Sequence, residues 1–178
     1  MNQLKDDDLI EKSRKGDTLA FKELVVRNEG KIAGVVKSML GETPEADDVG
    51  QEVFVRFYKA LDKFKGESTV STYLIRIAIN LSLNEIKTRK RKSFLFTRDE
   101  KGHDVQAPDD KTDMKEMVNN EIMRLDPDFR SVVTLRMMEG YSTVETAEIL
   151  GIPIGTVLSR LARAQKKLKL GLSKHIQS

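Results

Sequence analysis

The sequence predicts an all-α protein: two small helical domains joined by a flexible linker, the second of them a helix-turn-helix domain. Three observations carry this. Apolar residues recur at helical spacing nearly throughout, and no stretch alternates convincingly as a strand does. Residues 93–112 interrupt the pattern with Gly102, Pro108 and several charges, which marks a linker between residues 1–92 and 113–178. Ser142 to Leu168 reads as two short helices about a glycine turn, the second cationic on one side and apolar on the other.

Taken in order, the first helix starts at Asp7 or Asp8, runs to Lys15 and stops at Gly16. Asp17 then caps a long helix, with Leu19, Phe21, Leu24, Ile32, Val35, Val36 and Met39 among its apolar positions, ending at Gly41. Thr43-Pro44-Glu45 is a second start signal, for a helix that carries Val49, Val53, Phe54, Phe57 and Leu61. Lys65-Gly66-Glu67-Ser68 is a loop. The next helix begins near Val70 and runs into the basic cluster Lys87-Thr88-Arg89-Lys90-Arg91-Lys92. Phe94, Leu95 and Phe96 are oddly apolar for a linker, and docking on a domain surface would account for them. Helices resume near Thr112, and Asp126-Pro127 starts another.

In the C-terminal motif, Ser142 with Glu145 three residues on forms a capping box, each side chain satisfying an orphan amide. Ala147 is small where two helices cross, and Gly151 supplies the permissive backbone of the turn. Pro153 suits the first turn of the second helix, where no amide donor is needed. Val157, Leu161, Ala164 and Leu168 make its buried stripe. Thr156, Ser159, Arg160, Arg163, Lys166 and Lys167 fall largely off that stripe, in reach of phosphates or base edges. An ordinary helical hairpin with a solvated basic face is the competing account. Gly155 to Ser178 hold six Lys/Arg and no Asp or Glu, which favours a helix laid in the DNA major groove.

Composition narrows the field. The 178 residues include no cysteine, which excludes disulfides, zinc fingers and thiol catalysis and suits a reducing cytosol. No run approaches a membrane span, and Asp6, Asp7 and Asp8 are unlike a signal peptide. The formal charge is only +3, but residues 70–92 carry +5, residues 153–178 carry +6, and the remainder carries −8. Two basic islands on an acidic body imply a polyanion touched at two places.

The helix from Val70 is apolar on most sides, with Arg76, Asn80, Asn84 and Lys87 along one narrow polar stripe. Arg and Asn suit base edges and phosphates. On the stripe alone, a core helix whose polar line simply meets water is the better account; with the basic cluster continuing from the stripe, the two readings stand about even.

The run Glu45-Ala46-Asp47-Asp48-Val49-Gly50-Gln51-Glu52-Val53-Phe54-Val55-Arg56-Phe57, followed by Phe64 to Asn80, resembles conserved region two of sigma factors. The segment Pro153-Ile154-Gly155-Thr156-Val157-Leu158-Ser159-Arg160-Leu161 resembles region four. With no region-one or region-three domain, the pair resembles the small extracytoplasmic-function (group four) sigma factors of bacteria. The resemblance implies that Asp48, Gln51 and Glu52 hold the clamp helices of the largest subunit of core RNA polymerase. It implies that Lys65, Gly66, Glu67 and Ser68 lie in the segment that captures a flipped base of the minus-ten element. Arg76, Asn80 and Lys87 then meet the non-template strand, with Phe64 and Tyr73 offering either stacking surface or buried packing. Gly155, Thr156, Leu158, Ser159, Arg160, Arg163, Lys166 and Lys167 fall at the minus-thirty-five element of promoter DNA. A contact with the polymerase flap and control by an anti-sigma factor are further implied partners. The resemblance implies no cofactor, metal, catalytic residue or membrane contact, and a cytoplasmic protein.

Some residues depart from the family pattern. Leu158 stands where many relatives carry Lys or Arg, and Ala162 where a larger residue is common, so fewer base contacts or readout of DNA shape are expected. Tyr73 replaces a common Trp, and Ile79 an often polar residue. Gly50 is a poor helix former at ~1 kcal/mol against Ala, marking either close approach of a partner or nothing. Two other classes fit parts of the chain. A stand-alone regulator binding duplex DNA as a dimer needs only the helix-turn-helix. A nuclease would use Asp47, Asp48 and Glu52 as metal ligands, but such carboxylates on an amphipathic helix are usually a solvated or partner face. No catalytic arrangement can be built around His103 or His175.

Overall fold

The computed structural model describes residues 4–96 and 113–176, and every regular element among them is helical. In chain order these are α1 (Asp6–Arg14), α2 (Thr18–Leu40), α3 (Pro44–Ala60), a 3-10 turn (Leu61–Lys63) and α4 (Val70–Phe96). Then follow α5 (Met114–Met123), α6 (Pro127–Val133), a π-helical turn (Thr134–Met138), α7 (Thr143–Leu150) and α8 (Ile154–Ile176). The chain divides within α4, into a unit ending at Ser82 and one beginning at Leu83.

The N-terminal unit is built on α2, which packs against both α1 and α3. Its start is fixed by Asp17, whose carboxylate accepts from the Leu19 and Ala20 amides at 3.0 and 3.1 Å. Thr43 caps α3 by accepting from the Ala46 amide at 3.3 Å, with Pro44 in the first turn. Leu24, Ile32, Val35, Val36, Met39, Val53, Phe57, Leu74, Ile75 and Ala78 are buried, and they form the apolar faces the periodicity points to. Leu19 is an exception: it sits in the first turn of α2 and is exposed. Four aromatic rings lock α2, α3 and the start of α4 together. Phe57 lies 6.1 Å from Phe21, 6.1 Å from Phe64 and 5.9 Å from Tyr73, and Phe64 meets Tyr73 edge-on at 5.1 Å.

α4 is longer than the sequence pattern suggests. It continues through Ser93 to Phe96, so residues 93–96 are helical rather than the start of a linker. Nothing in that stretch breaks a helix; the first breaker is Gly102, and residues 97–112 lie outside the described residues. Phe94, Leu95 and Phe96 are all more than 70% exposed, so among the described residues the expected docking on a domain surface is not found.

In the C-terminal unit, α8 packs against α5, α6 and α7. One apolar cluster joins Ile122, Leu125, Val133, Ala164 and Leu168, and another joins Val132, Ala147 and Val157. Arg130 closes the end of α5 by donating from Nη2 to the carbonyls of Met123 and Leu125, at 2.6 and 2.9 Å. Burial holds its guanidinium below the usual arginine range. The resulting bundle fixes the angle at which α8 leaves the α7 turn.

Candidate functional site

The exposed side of α8 is the most clearly defined surface. The capping box forms as the spacing requires: Ser142 Oγ accepts from the Glu145 amide at 3.1 Å, and Glu145 Oε2 accepts from the Ser142 amide at 2.7 Å. Gly151 adopts φ +64°, a left-handed conformation that ends α7 and that side chains with a Cβ rarely take. Pro153 stands just before α8 rather than inside it, and its carbonyl accepts from the Thr156 and Val157 amides at 3.0 and 3.2 Å. Val157, Ala164 and Leu168 are buried and Leu161 is half-buried, which turns the opposite side outward.

On that outward side Gly155, Leu158, Ser159, Arg163 and Lys166 are exposed, and Thr156 is half-buried. Arg160 and Lys167 differ from the rest of the set. Arg160 Nη2 lies 3.4 Å from Asp128, and Lys167 Nζ lies 3.0 Å from Asp126 and 5.0 Å above the Phe129 ring. Both cations are thus paired in the free chain with acids at the start of α6, Asp128 in its first turn and Asp126 just before it. Their sequence positions alone do not show this, because the acids come from a different helix.

A second surface combines the loop after the 3-10 turn with one edge of α4. Lys65, Gly66 and Glu67 are exposed and Ser68 is half-buried, with Gly66 at φ +70°. The loop rests on Phe64, which is 6% exposed and packed among the rings described above. Phe64 is therefore core and not a free stacking surface, while Tyr73 is half-buried. Arg14 also supports the loop: its Nε donates to the Leu61 carbonyl at 3.0 Å and its Nη2 to the Phe64 carbonyl. No sequence signal marks Arg14 for this role, since it reads as a charge at the end of a short helix. Beyond the loop, Thr69 Oγ1 accepts from the Thr72 amide at 3.1 Å and so starts α4. Along α4, Asn80, Asn84 and Lys87 are exposed and Arg76 is half-buried, while Leu74, Ile75, Ala78 and Ile79 are at most 1% exposed. The narrow polar stripe is present as read.

The third surface lies on α3. Asp48 and Gln51 are exposed, and Glu52 is half-buried with its carboxylate 2.9 Å from Arg56 Nε. That i,i+4 pair is solvent-accessible and contributes little to stability, so a partner can compete for Glu52 at small cost. Among the described residues, no group of three His, Cys, Asp or Glu side chains is placed to hold a metal ion. His175 lies 3.0 Å from Glu121, and His103 falls outside the described residues. No described helix is long and apolar enough to cross a membrane.

Comparison with known proteins bears on all three surfaces. The chain matches the family description Sigma-70 region 2 over residues 24–92, and Sigma-70, region 4 over residues 115–168. It is similar to the RNA polymerase sigma-H factor of Pseudomonas aeruginosa, at 33% identity over 97% of this chain and 96% of that protein. It is also similar to the ECF RNA polymerase sigma-E factor of Escherichia coli K12, at 35% identity over 93% of each. Among solved structures, CnrH in complex with the cytosolic domain of CnrY aligns at TM-score 0.70 and 27% identity, covering 95% of this chain and 97% of that one. The sigma factor RpoE in complex with the anti-sigma factor NepR from Bartonella quintana shares the fold. It aligns at TM-score 0.71 and 21% identity, covering 86% of this chain and 96% of that one.

Proposed function

The chain belongs to the sigma-70 family of RNA polymerase sigma factors, in its extracytoplasmic-function type, and from that premise we propose how its three surfaces divide the work. The α3 face of Asp48, Gln51 and Glu52 holds the clamp helices of core polymerase. The Lys65–Ser68 loop takes a flipped base of the minus-ten element, and Arg76, Asn80 and Lys87 follow the non-template strand. Extruding a base costs a few kcal/mol, which the loop and the α4 edge must offset with contacts. The outward side of α8 grips the minus-thirty-five element.

The observation that carries this reading is the presence of two DNA-suited surfaces, one on the Lys65–Ser68 loop and the α4 edge and one on α8. Each alone offers only a few phosphate and base contacts. Holding both on one polymerase raises the effective concentration of the second surface at its DNA element without any added interaction. The chain therefore acts as a polymerase subunit in the cytoplasm and performs no catalysis of its own. Control by an anti-sigma factor and a contact of the C-terminal unit with the polymerase flap belong to the same proposal, and family membership supports them.

Charge reversal tests the polymerase face. Asp48→Arg with Glu52→Arg is expected to abolish core binding while leaving the circular dichroism spectrum unchanged, since both side chains lie outside the core. Unchanged core affinity would remove the face from the account. Tight, specific promoter binding by the free chain would favour the stand-alone regulator instead.

A further inference from the structure

Arg14 is the last residue of α1, yet most of its guanidinium is directed at another element. Nε donates to the Leu61 carbonyl at 3.0 Å and Nη2 to the Phe64 carbonyl, while Nη1 meets the Glu11 carboxylate one turn back. Leu61 opens the 3-10 turn and Phe64 follows it, so one planar group bridges both ends of that turn. α1 is itself anchored. Leu9 and Ile10 are buried, and at the opposite end of the helix Asp6 lies 2.9 Å from Arg27 of α2. Arg14 is thus a strut from a docked helix to the root of the Lys65–Ser68 loop.

The strut acts on a particular peptide. The Phe64 carbonyl belongs to the planar unit that leads into Lys65, so holding that oxygen fixes the direction in which the loop leaves the core. At the far end, Thr69 Oγ1 accepts from the Thr72 amide at 3.1 Å and sets the start of α4. Between these anchors Lys65, Gly66 and Glu67 are exposed, with Gly66 at φ +70°, and the course of the loop is set from its two ends. A lysine at position 14 would keep the charge, but its single ammonium lacks the fork that spans the Leu61 and Phe64 carbonyls together.

We infer that Arg14 is a positioning residue for base capture: by bracing the Phe64–Lys65 peptide it preforms the loop that takes the extruded minus-ten base. This role rests on the base-capture reading of the loop and extends it to α1, which lies outside both the loop and the α4 edge. Arg14 acts through backbone carbonyls and need not touch DNA. Bracing matters because extruding a base already costs free energy, and a loop ordered only on binding adds its own ordering cost.

The test uses holoenzyme assembled with the full chain and a single-stranded non-template oligonucleotide from a promoter that depends on it, the flipped position being either intact or abasic. The readout is the ratio of the two affinities. Arg14→Ala and Arg14→Lys should each lower that ratio about tenfold, the size of one lost charge-assisted hydrogen bond, with affinity for core polymerase unchanged. Arg27→Gln loosens the opposite end of α1 and should lower the thermal midpoint while leaving the ratio as it was. Equal weakening on intact and abasic strands would make Arg14 merely structural and overturns the inference. An Arg14→Lys chain that matches the wild type also overturns it, since charge and not bracing would then suffice. The same holds for an Arg27→Gln chain that lowers the ratio as far as Arg14→Ala does. If the wild-type holoenzyme binds both strands equally, the base-capture reading itself fails, and the role of Arg14 fails with it.

Discussion

Replacing Phe57 with alanine is the perturbation whose cost the structure defines best. The ring is 0% exposed and packs against Phe21, Phe64 and Tyr73 at centroid distances of 5.9–6.1 Å. Emptying such a site costs ~3–5 kcal/mol, the upper part of that range applying where rigid neighbours cannot collapse into the space. Here the neighbours are rings held from α2, the loop base and α4, so we expect about 4 kcal/mol. A domain of this size has only ~5–15 kcal/mol in hand, so the N-terminal unit should lose most of its margin. Phe57→Leu keeps most of the volume and should cost less than about 1.5 kcal/mol. Urea unfolding followed by far-UV circular dichroism and tyrosine fluorescence separates the two variants. The consequence reaches the proposed function, because Phe64 packs on Phe57 and immediately precedes Lys65 of the loop proposed to take the minus-ten base. A loss under ~1 kcal/mol for Phe57→Ala, or equal losses for Ala and Leu, would refute the view that this cluster anchors the loop.

Three further outcomes follow from the C-terminal unit. Ser142→Ala removes one half of the capping box and should cost about 1 kcal/mol, read as a drop in the thermal midpoint of that unit. Arg163→Ala with Lys166→Ala should weaken holoenzyme binding to the minus-thirty-five element and flatten its dependence on log salt by about 0.9 for each phosphate no longer neutralised. Asp126→Asn with Asp128→Asn should act in the opposite direction. Releasing Lys167 and Arg160 from pairs worth about 0–1 kcal/mol each should tighten promoter binding up to several-fold and steepen the salt slope. Unchanged slopes in both double variants would mean these four cations do not meet DNA.

Local chemistry was readable from sequence where one residue acts on its near neighbours. Asp17, Thr43 and the Ser142–Glu145 pair all cap helices within three residues, and Gly151 ends α7 with a positive φ. The stripe of Asn80, Asn84 and Lys87 was readable for the same reason, since one helix fixes their common side. Features that depend on packing between elements were not. Arg14 reaching the carbonyls of Leu61 and Phe64, and Asp126 and Asp128 reaching Lys167 and Arg160, depend on an arrangement that no local pattern encodes. For Phe64 the sequence allows both stacking surface and core, because an aromatic residue beside a loop suits both, and only the surrounding rings decide for core. Residues 93–96 differ from the sequence pattern for another reason. An apolar stretch without Gly or Pro keeps its helical propensity, so the composition change after Lys92 does not stop the helix, which includes Ser93 to Phe96.

This chain directs a polymerase, and on this reading it does not act on DNA alone. The most direct test is run-off transcription with bacterial core polymerase and a pool of genomic promoter fragments. Defined start sites are expected that need both core enzyme and this chain, and that disappear with Asp48→Arg and Glu52→Arg. Start sites that form without the chain, or none at all in its presence, would contradict it.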